Sequence, residues 1–254
     1  GIASRATETW ARHDELTPDQ LRRAIKDLNE AYAMTAPASV AYRCEYLSLE
    51  NDIGRFPLSE FFDIRVGEIE FFLRNEPEVG RRVMRQAFAN WLAEVDKPRH
   101  LRMPKTLGWY ELNPKRLRHA NLLHPKEIER HMESSIVARV FVPAVSYWDN
   151  AITLEQATQN ALIAMLALRL HQLETGHLPA TLDELVDAKI LKSVPIDPWH
   201  PTGKPLQYRR KDGGAIVYGI GQDGVDGGGD LEFGIRGRPD IGFDIEPVKS
   251  NEKQ

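Results

Sequence analysis

The sequence has a single cysteine, Cys44, in 254 residues, so no disulfide can form within the chain. A chain of this length buries enough surface to fold without cross-links. The missing disulfide leaves the compartment open, because many exported domains have none. No apolar run approaches the roughly 18 residues that a membrane-spanning helix needs. An excess of positive charge is also lacking: 33 Lys and Arg against 37 Asp and Glu give a net charge of −4, which excludes the basic field of a nucleic-acid binder. There is no Gly-x-Ser-x-Gly elbow, P-loop, dinucleotide fingerprint or His-Glu-x-x-His pair. Ser/Gly-rich linkers and internal repeats are absent as well. The chain begins Gly-Ile-Ala-Ser, with no initiator Met. That start reads as a trimmed or processed chain whose signal or anchor segment would lie upstream.

What is present divides into two parts, residues 1–150 and residues 151–254. The first reads as mainly helical. Thr17-Pro18-Asp19-Gln20 has the form of a helix start, with Thr17 as N-cap, Pro18 at the first helical position and Gln20 closing a capping box. Leu21, Ile25, Leu28 and Tyr32 then fall on one face. Further helices are expected over Ser39–Glu50, with Tyr42, Tyr46 and Leu49 aligned, over Ile64–Arg74, and over Pro77–Val95, where Val83, Ala87, Trp91 and Leu92 make the stripe. Pro125-Lys126-Glu127 opens another, which Pro143 is expected to end or kink. Val140–Val145 has a β-like composition, and Tyr147-Trp148-Asp149-Asn150 reads as the join to the second part.

From Thr153, expected to cap a new helix, the segment Ala157–Leu173 is apolar around most of its circumference. Such a helix must be covered on more than one side, by the C-terminal sheet on one and by N-terminal helices on the other. Gly176 stops it, Pro179 follows, and Thr181-Leu182-Asp183-Glu184 starts a short helix through Val186. After Pro198 the period becomes two. Leu206–Arg209 and Ala215–Tyr218 form a hairpin around an Asp-Gly-Gly turn, and Ile241–Ile245 is a third strand. The expected fold class is α+β: a mainly helical N-terminal region, then a pilin-like long helix packed on a small antiparallel sheet.

Between the second and third strands lies Gly219-Ile220-Gly221-Gln222-Asp223-Gly224-Val225-Asp226-Gly227-Gly228-Gly229-Asp230-Leu231. Three carboxylates fall within eight residues, among six glycines. Calcium takes six to eight oxygens from carboxylates and carbonyls, and glycines let the backbone turn tightly enough to aim them. Clustered carboxylates repel, and a cation relieves that cost. No bidentate Glu stands at the twelfth position and strands flank the loop, so this is no EF-hand. A solvated Asp/Gly turn without an ion is the plain alternative.

Four segments in order carry a family resemblance. The helix exit His171-Gln172-Leu173-Glu174-Thr175-Gly176-His177-Leu178-Pro179 comes first, followed by Asp197-Pro198-Trp199 with Gly203-Lys204-Pro205-Leu206-Gln207-Tyr208. Tyr218-Gly219-Ile220-Gly221-Gln222-Asp223-Gly224 and Gly227-Gly228-Gly229-Asp230-Leu231 complete the set. Together they resemble the C-terminal domain of the major pseudopilins of type II secretion, here in the setting of planctomycete-type proteins that carry such a module after a long N-terminal region. The resemblance implies a structural calcium ion. Asp223 and Asp230 match family ligand positions, and the carbonyl of Ile220 matches a backbone ligand. Asp226 is supported by spacing, and Asp240 is an alternative terminal ligand if residues 232–239 loop out. It also implies an extracytoplasmic place in the cell envelope or periplasm, with other envelope or secretion proteins as partners. The chain departs from the pattern in the inserted His200-Pro201-Thr202, in Leu178 where an aromatic is usual, and in the region preceding the helix.

Other constellations are weaker. His119, His124 and His131 share a segment, but Pro125 breaks their helical register. His171 and His177 read as surface or capping residues, and Cys44 as a packed thiol. Residues 81–118 are basic, with Arg81, Arg82, Arg85, Lys97, Arg99, Arg102, Lys105, Lys115, Arg116 and Arg118 around Trp91, Trp109 and Tyr110. They suit either an anionic surface or pairing with the acidic residues of 45–78. The sequence thus points to a non-enzymatic envelope structural or interaction protein. The alternatives are an enzyme with its site in the N-terminal helical region, built on acidic residues such as Glu45 and Glu50 or on the histidine group, and a binder of anionic surfaces through residues 81–118.

Overall fold

The computed structural model describes residues 2–13, 15–53, 76–102, 105–106, 109–110, 136–211, 213–231 and 239–246. The chain forms two compact units, one from residues 1–35 together with 151–254 and one from 36–150. The sequence reading draws a single boundary at 150/151. In the structure the first 35 residues belong to the same unit as the C-terminal part.

The discontinuous unit begins with α1 (Ile2–Ala11) and α2 (Pro18–Ala33). Thr17 caps α2 in extended conformation, with the reciprocal bonds to Gln20 that the sequence predicts. α5 (Ile136–Thr175) passes into this unit and ends at Gly176, whose φ of +80° suits a residue without Cβ. Then come α6 (Asp183–Asp187) and three strands, β3 (Gln207–Lys211), β4 (Gly214–Gly219) and β5 (Ile241–Ile245). The sheet is antiparallel with β4 central, pairing Gln207 with Tyr218 and Val217 with Phe243. The fold class is α+β, a long helix packed on a small antiparallel sheet.

Residues 161–172 of α5 are buried at every position. The apolar circumference read from the sequence has its cause here. Leu21 and Ile25 of α2 join the same core as Ala215, Val217, Phe243 and Ile245 of the sheet. Tyr208 donates its hydroxyl to the carbonyl of Pro179 at 2.9 Å, which ties β3 to the helix exit.

The other unit contains α3 (Ala38–Ile53), α4 (Glu76–Leu92), a 3-10 turn at Arg99–Leu101 and the short pair β1 (Lys105–Thr106) and β2 (Trp109–Tyr110). α3 packs on α4 through aromatic contacts. Phe88 meets Trp91 edge-on with centroids 5.2 Å apart, and Tyr46 at 5.3 Å. Tyr42 and Leu49 face inward as the periodicity requires.

Four expectations are corrected. Helix α5 runs from Ile136 through Pro143 without a break, so Pro143 does not end it. Val140–Val145 is helical rather than β-like. Thr153 is buried in the interior of the helix rather than at its start. A helix of 40 residues propagates through one missing N–H and a few β-branched residues, because each further turn adds bonds without a new nucleation step. Cys44 is exposed rather than packed. It stands two positions from the buried Tyr42, about 200° round the helix, and so faces away from the core. The helices expected at Ile64–Arg74 and from Pro125 lie outside the described residues, as do His119, His124 and His131.

Candidate functional site

The loop from Ile220 to Leu231 leaves the central strand β4 and returns towards the edge strand β5. Its entrance is fixed by Asp197, a residue 1% exposed. One carboxylate oxygen accepts the N–H of Trp199 at 2.9 Å and the other the N–H of Ile220 at 2.8 Å. Ile220 is itself buried, packed with Trp199 and Ala157. Burial pushes the Asp197 carboxyl above the usual carboxylate range, against the pull of those backbone N–H groups. The approach is so close that a Cβ added at Gly219 would lie 2.7 Å from Asp197 Oδ1.

The exit is organised by Asp240, also buried. Its Oδ1 accepts from the Gly227 N–H at 3.2 Å and its Oδ2 from the Gly229 N–H at 2.8 Å. Its own N–H donates to the Asp230 carbonyl at 2.8 Å. Burial raises the pKa of Asp240, and the neighbouring Asp226 charge adds to the rise.

The expected ligand residues fall as follows. Asp226 Oδ1 accepts from the Tyr218 hydroxyl at 3.1 Å and from the Gly228 N–H at 2.8 Å. Asp223 Oδ1 accepts from the N–H of Val225 at 3.1 Å, a local turn. The Oδ2 atoms of Asp223 and Asp226 make no hydrogen bond or ion pair among the described residues. Asp230 is exposed and Ile220 buried. From the sheet, Arg209 donates to the Gly228 carbonyl at 2.7 Å. Among the described residues no group of three or more His, Cys, Asp and Glu side chains is gathered so as to hold a metal ion. Asp226 and Asp240 are thus near neighbours, whereas Asp223 and Asp230 stand towards solvent.

Sequence reasoning missed the parts played by Asp197 and Arg209. Asp197 lies between Ile196 and Pro198, where an acidic residue ordinarily reads as turn chemistry. Its partner at Ile220 is 23 positions away, a distance that no local pattern encodes.

Four cations of the basic segment pair within their own unit. Arg85 pairs with Glu50 at 3.4 Å, and Lys97 with the buried Glu94. Arg99 and Arg102 both pair with the buried Asp149. Arg102 also donates to the carbonyls of Lys97 and Val95. Lys115, Arg116 and Arg118 lie outside the described residues. Glu45 has a raised pKa, from burial first and from Asp52 second. Glu50 is engaged by Arg85. His171 and His177 stack edge-on at 5.6 Å, and His171 Nδ1 lies 3.1 Å from the His177 carbonyl at the helix exit. No helix among the described residues is long and apolar enough to cross a membrane.

No family model matches the chain, and no curated protein or solved structure matches it either.

Proposed function

We propose that the unit formed by residues 1–35 and 151–254 is a calcium-stabilised, pseudopilin-like module of a cell-envelope structural or interaction protein. The observation that supports it best is the position of the loop. An Asp/Gly-rich segment hangs between two adjacent strands, with Asp226 close enough to the buried Asp240 that its charge adds to the cost, set first by burial, of ionising Asp240. A divalent cation offsets that cost. Asp223, Asp226 and Asp230 would supply carboxylate oxygen, Ile220 a carbonyl, and Asp240 either a ligand or the brace behind the loop. Binding requires Asp223 and Asp230 to swing inward, with water completing the shell. The ion would act mechanically, stabilising the folded state by mass action. The partners would be other envelope or secretion proteins, and the role non-enzymatic.

A second reading has a specific observation in its favour. Arg209, Tyr218, Asp197 and Asp240 already close the loop with the chain's own hydrogen bonds, and Arg209 supplies a cation. In that reading the loop holds its shape without an ion. Calorimetric titration with calcium separates the two. Saturable binding that weakens in Asp223→Ala and Asp226→Asn supports the calcium site. Absence of binding at millimolar calcium supports the self-closed loop.

A further inference from the structure

A cleft of about 1000 Å³ opens in the discontinuous unit between α2, α5 and the segment after α6, away from the Asp/Gly loop. Its apolar lining includes Ile25, Ile163, Leu170 and Leu191. The lining residues of α5 run from Asn160 to Leu170, about 15 Å at 1.5 Å per residue. Four cations line it as well: Arg22 and Lys26 on α2, and Lys189 and Lys192 beyond α6. Glu30 is the one acidic residue in the lining. Arg22 is held by Glu174 at 2.6 Å, and Lys26 lies 3.8 Å from Glu30. Lys189 and Lys192 make no ion pair among the described residues. Two asparagines add acceptors. Asn29 and Asn160 each use the amide nitrogen, on the carbonyls of Ile25 and Ile196, and leave Oδ1 without a hydrogen bond among the described residues.

Lys189 stands where the backbone turn favours a residue without Cβ. With φ at +58° it is the one non-glycine residue in the left-handed region among those described. It sits just past the end of α6, where the Ile190 N–H returns to the Leu185 carbonyl at 2.9 Å. That position ordinarily takes glycine. A lysine there accepts backbone strain and places a cation at the cleft.

We infer that this cleft docks an acidic peptide segment of a partner protein, whose aliphatic side chains seat on the apolar lining and whose carboxylates meet Lys26, Lys189 and Lys192. The charge balance sets the sign of the partner, and cations on two wall segments suit a polymer with several carboxylates better than a single headgroup. The asparagine carbonyls suit peptide N–H groups, which an acyl chain lacks.

The test is fluorescence anisotropy of the whole chain with a short labelled peptide of mixed glutamate and leucine. A lysine-for-glutamate peptide is the counter-probe and dodecanoate the lipid-like competitor. The variant is Lys189→Gly with Lys192→Gln. Its first change relieves the strained backbone, and an undiminished melting temperature certifies folding. The expected result is binding of the acidic peptide alone, weakened by salt and by about tenfold or more in the variant. Equal binding to variant and wild type, binding of the basic peptide, or no binding of the acidic peptide at millimolar concentration overturns the proposal. Lysine-dependent binding of dodecanoate without the peptide also overturns it, in favour of an anionic amphiphile.

Discussion

Replacing Asp197 by alanine removes the side chain that ties the 196–199 turn to the start of the loop. Two N–H groups lose their acceptors, those of Trp199 and Ile220, both on buried residues. A hydrogen bond to a charged group contributes about 1.5–3 kcal/mol, and a buried donor left bare costs about 1–3 kcal/mol. Part of this is offset, because the variant no longer buries a carboxylate whose ionisation is already disfavoured. The net loss is about 2–4 kcal/mol. At about 2–4 °C per kcal/mol for a protein of this size, the melting temperature falls by about 5–15 °C. Asp197→Asn keeps one acceptor and turns an NH2 towards the second donor, so its loss is about 1–2 kcal/mol. The pH dependence carries its own sign. The folded pKa is raised above the ordinary 3.8, so this group's contribution is full below that value and is lost as pH rises through the raised one. The wild type therefore gains on Asp197→Asn as the solution is acidified. Urea unfolding of the three proteins across pH measures all of this. An alanine variant that loses less than about 1 kcal/mol, or a gap between wild type and Asn variant that closes on acidification, would refute the reasoning.

Three further outcomes are expected. Asp149→Ala leaves Arg102, 5% exposed, without its carboxylate, and should cost about 3–5 kcal/mol in urea unfolding. A loss below about 1 kcal/mol would show that the pair is solvated. Tyr208→Phe removes the bond to Pro179 and should cost about 1 kcal/mol. Burial raises the Tyr208 pKa above 10.0, so its stabilisation persists below that value and fades as pH rises through the raised one. An alkaline unfolding edge unmoved by Tyr208→Phe would contradict this. Lys189→Gly should raise stability by about 0.5–1 kcal/mol by relieving the positive φ, and a decrease would show that the lysine side chain stabilises the fold.

Legibility in the sequence followed the range of the interaction. The Thr17 capping box, the Gly176 stop and the pairing of β3 with β4 as a hairpin are encoded within a few positions, and all three are in the structure. The circumference of α5 announced cover by the sheet on one side and by N-terminal helices on the other, and Leu21 and Ile25 of α2 share its core. Pro143 does not end α5, because a helix of 40 residues propagates past one missing N–H without a new nucleation step. At the loop, composition marked the residues that carry charge. It did not separate Asp226, hydrogen-bonded to Tyr218, from Asp223, which makes only a local turn. The buried carboxylates that set the loop's ends, Asp197 and Asp240, act across 23 and 13 positions, where only the folded chain brings the partners together. The basic stretch around 81–118 shows the same limit. Its charge was plain, but that Arg102 lies buried against Asp149 depends on a contact 47 residues away.

A thermal melt in excess calcium against excess chelator tests most directly whether the loop between β4 and β5 holds the proposed structural calcium ion. At a calcium concentration about a hundredfold above Kd the folded state gains about 2.7 kcal/mol. The melting temperature should then rise by about 5–10 °C. Magnesium should do less, because it holds its water and demands a tighter octahedron. The shift should disappear in Asp223→Ala. An unchanged melting temperature in calcium and chelator would contradict the claim, and would leave the loop closed by Asp197, Arg209, Tyr218 and Asp240 alone.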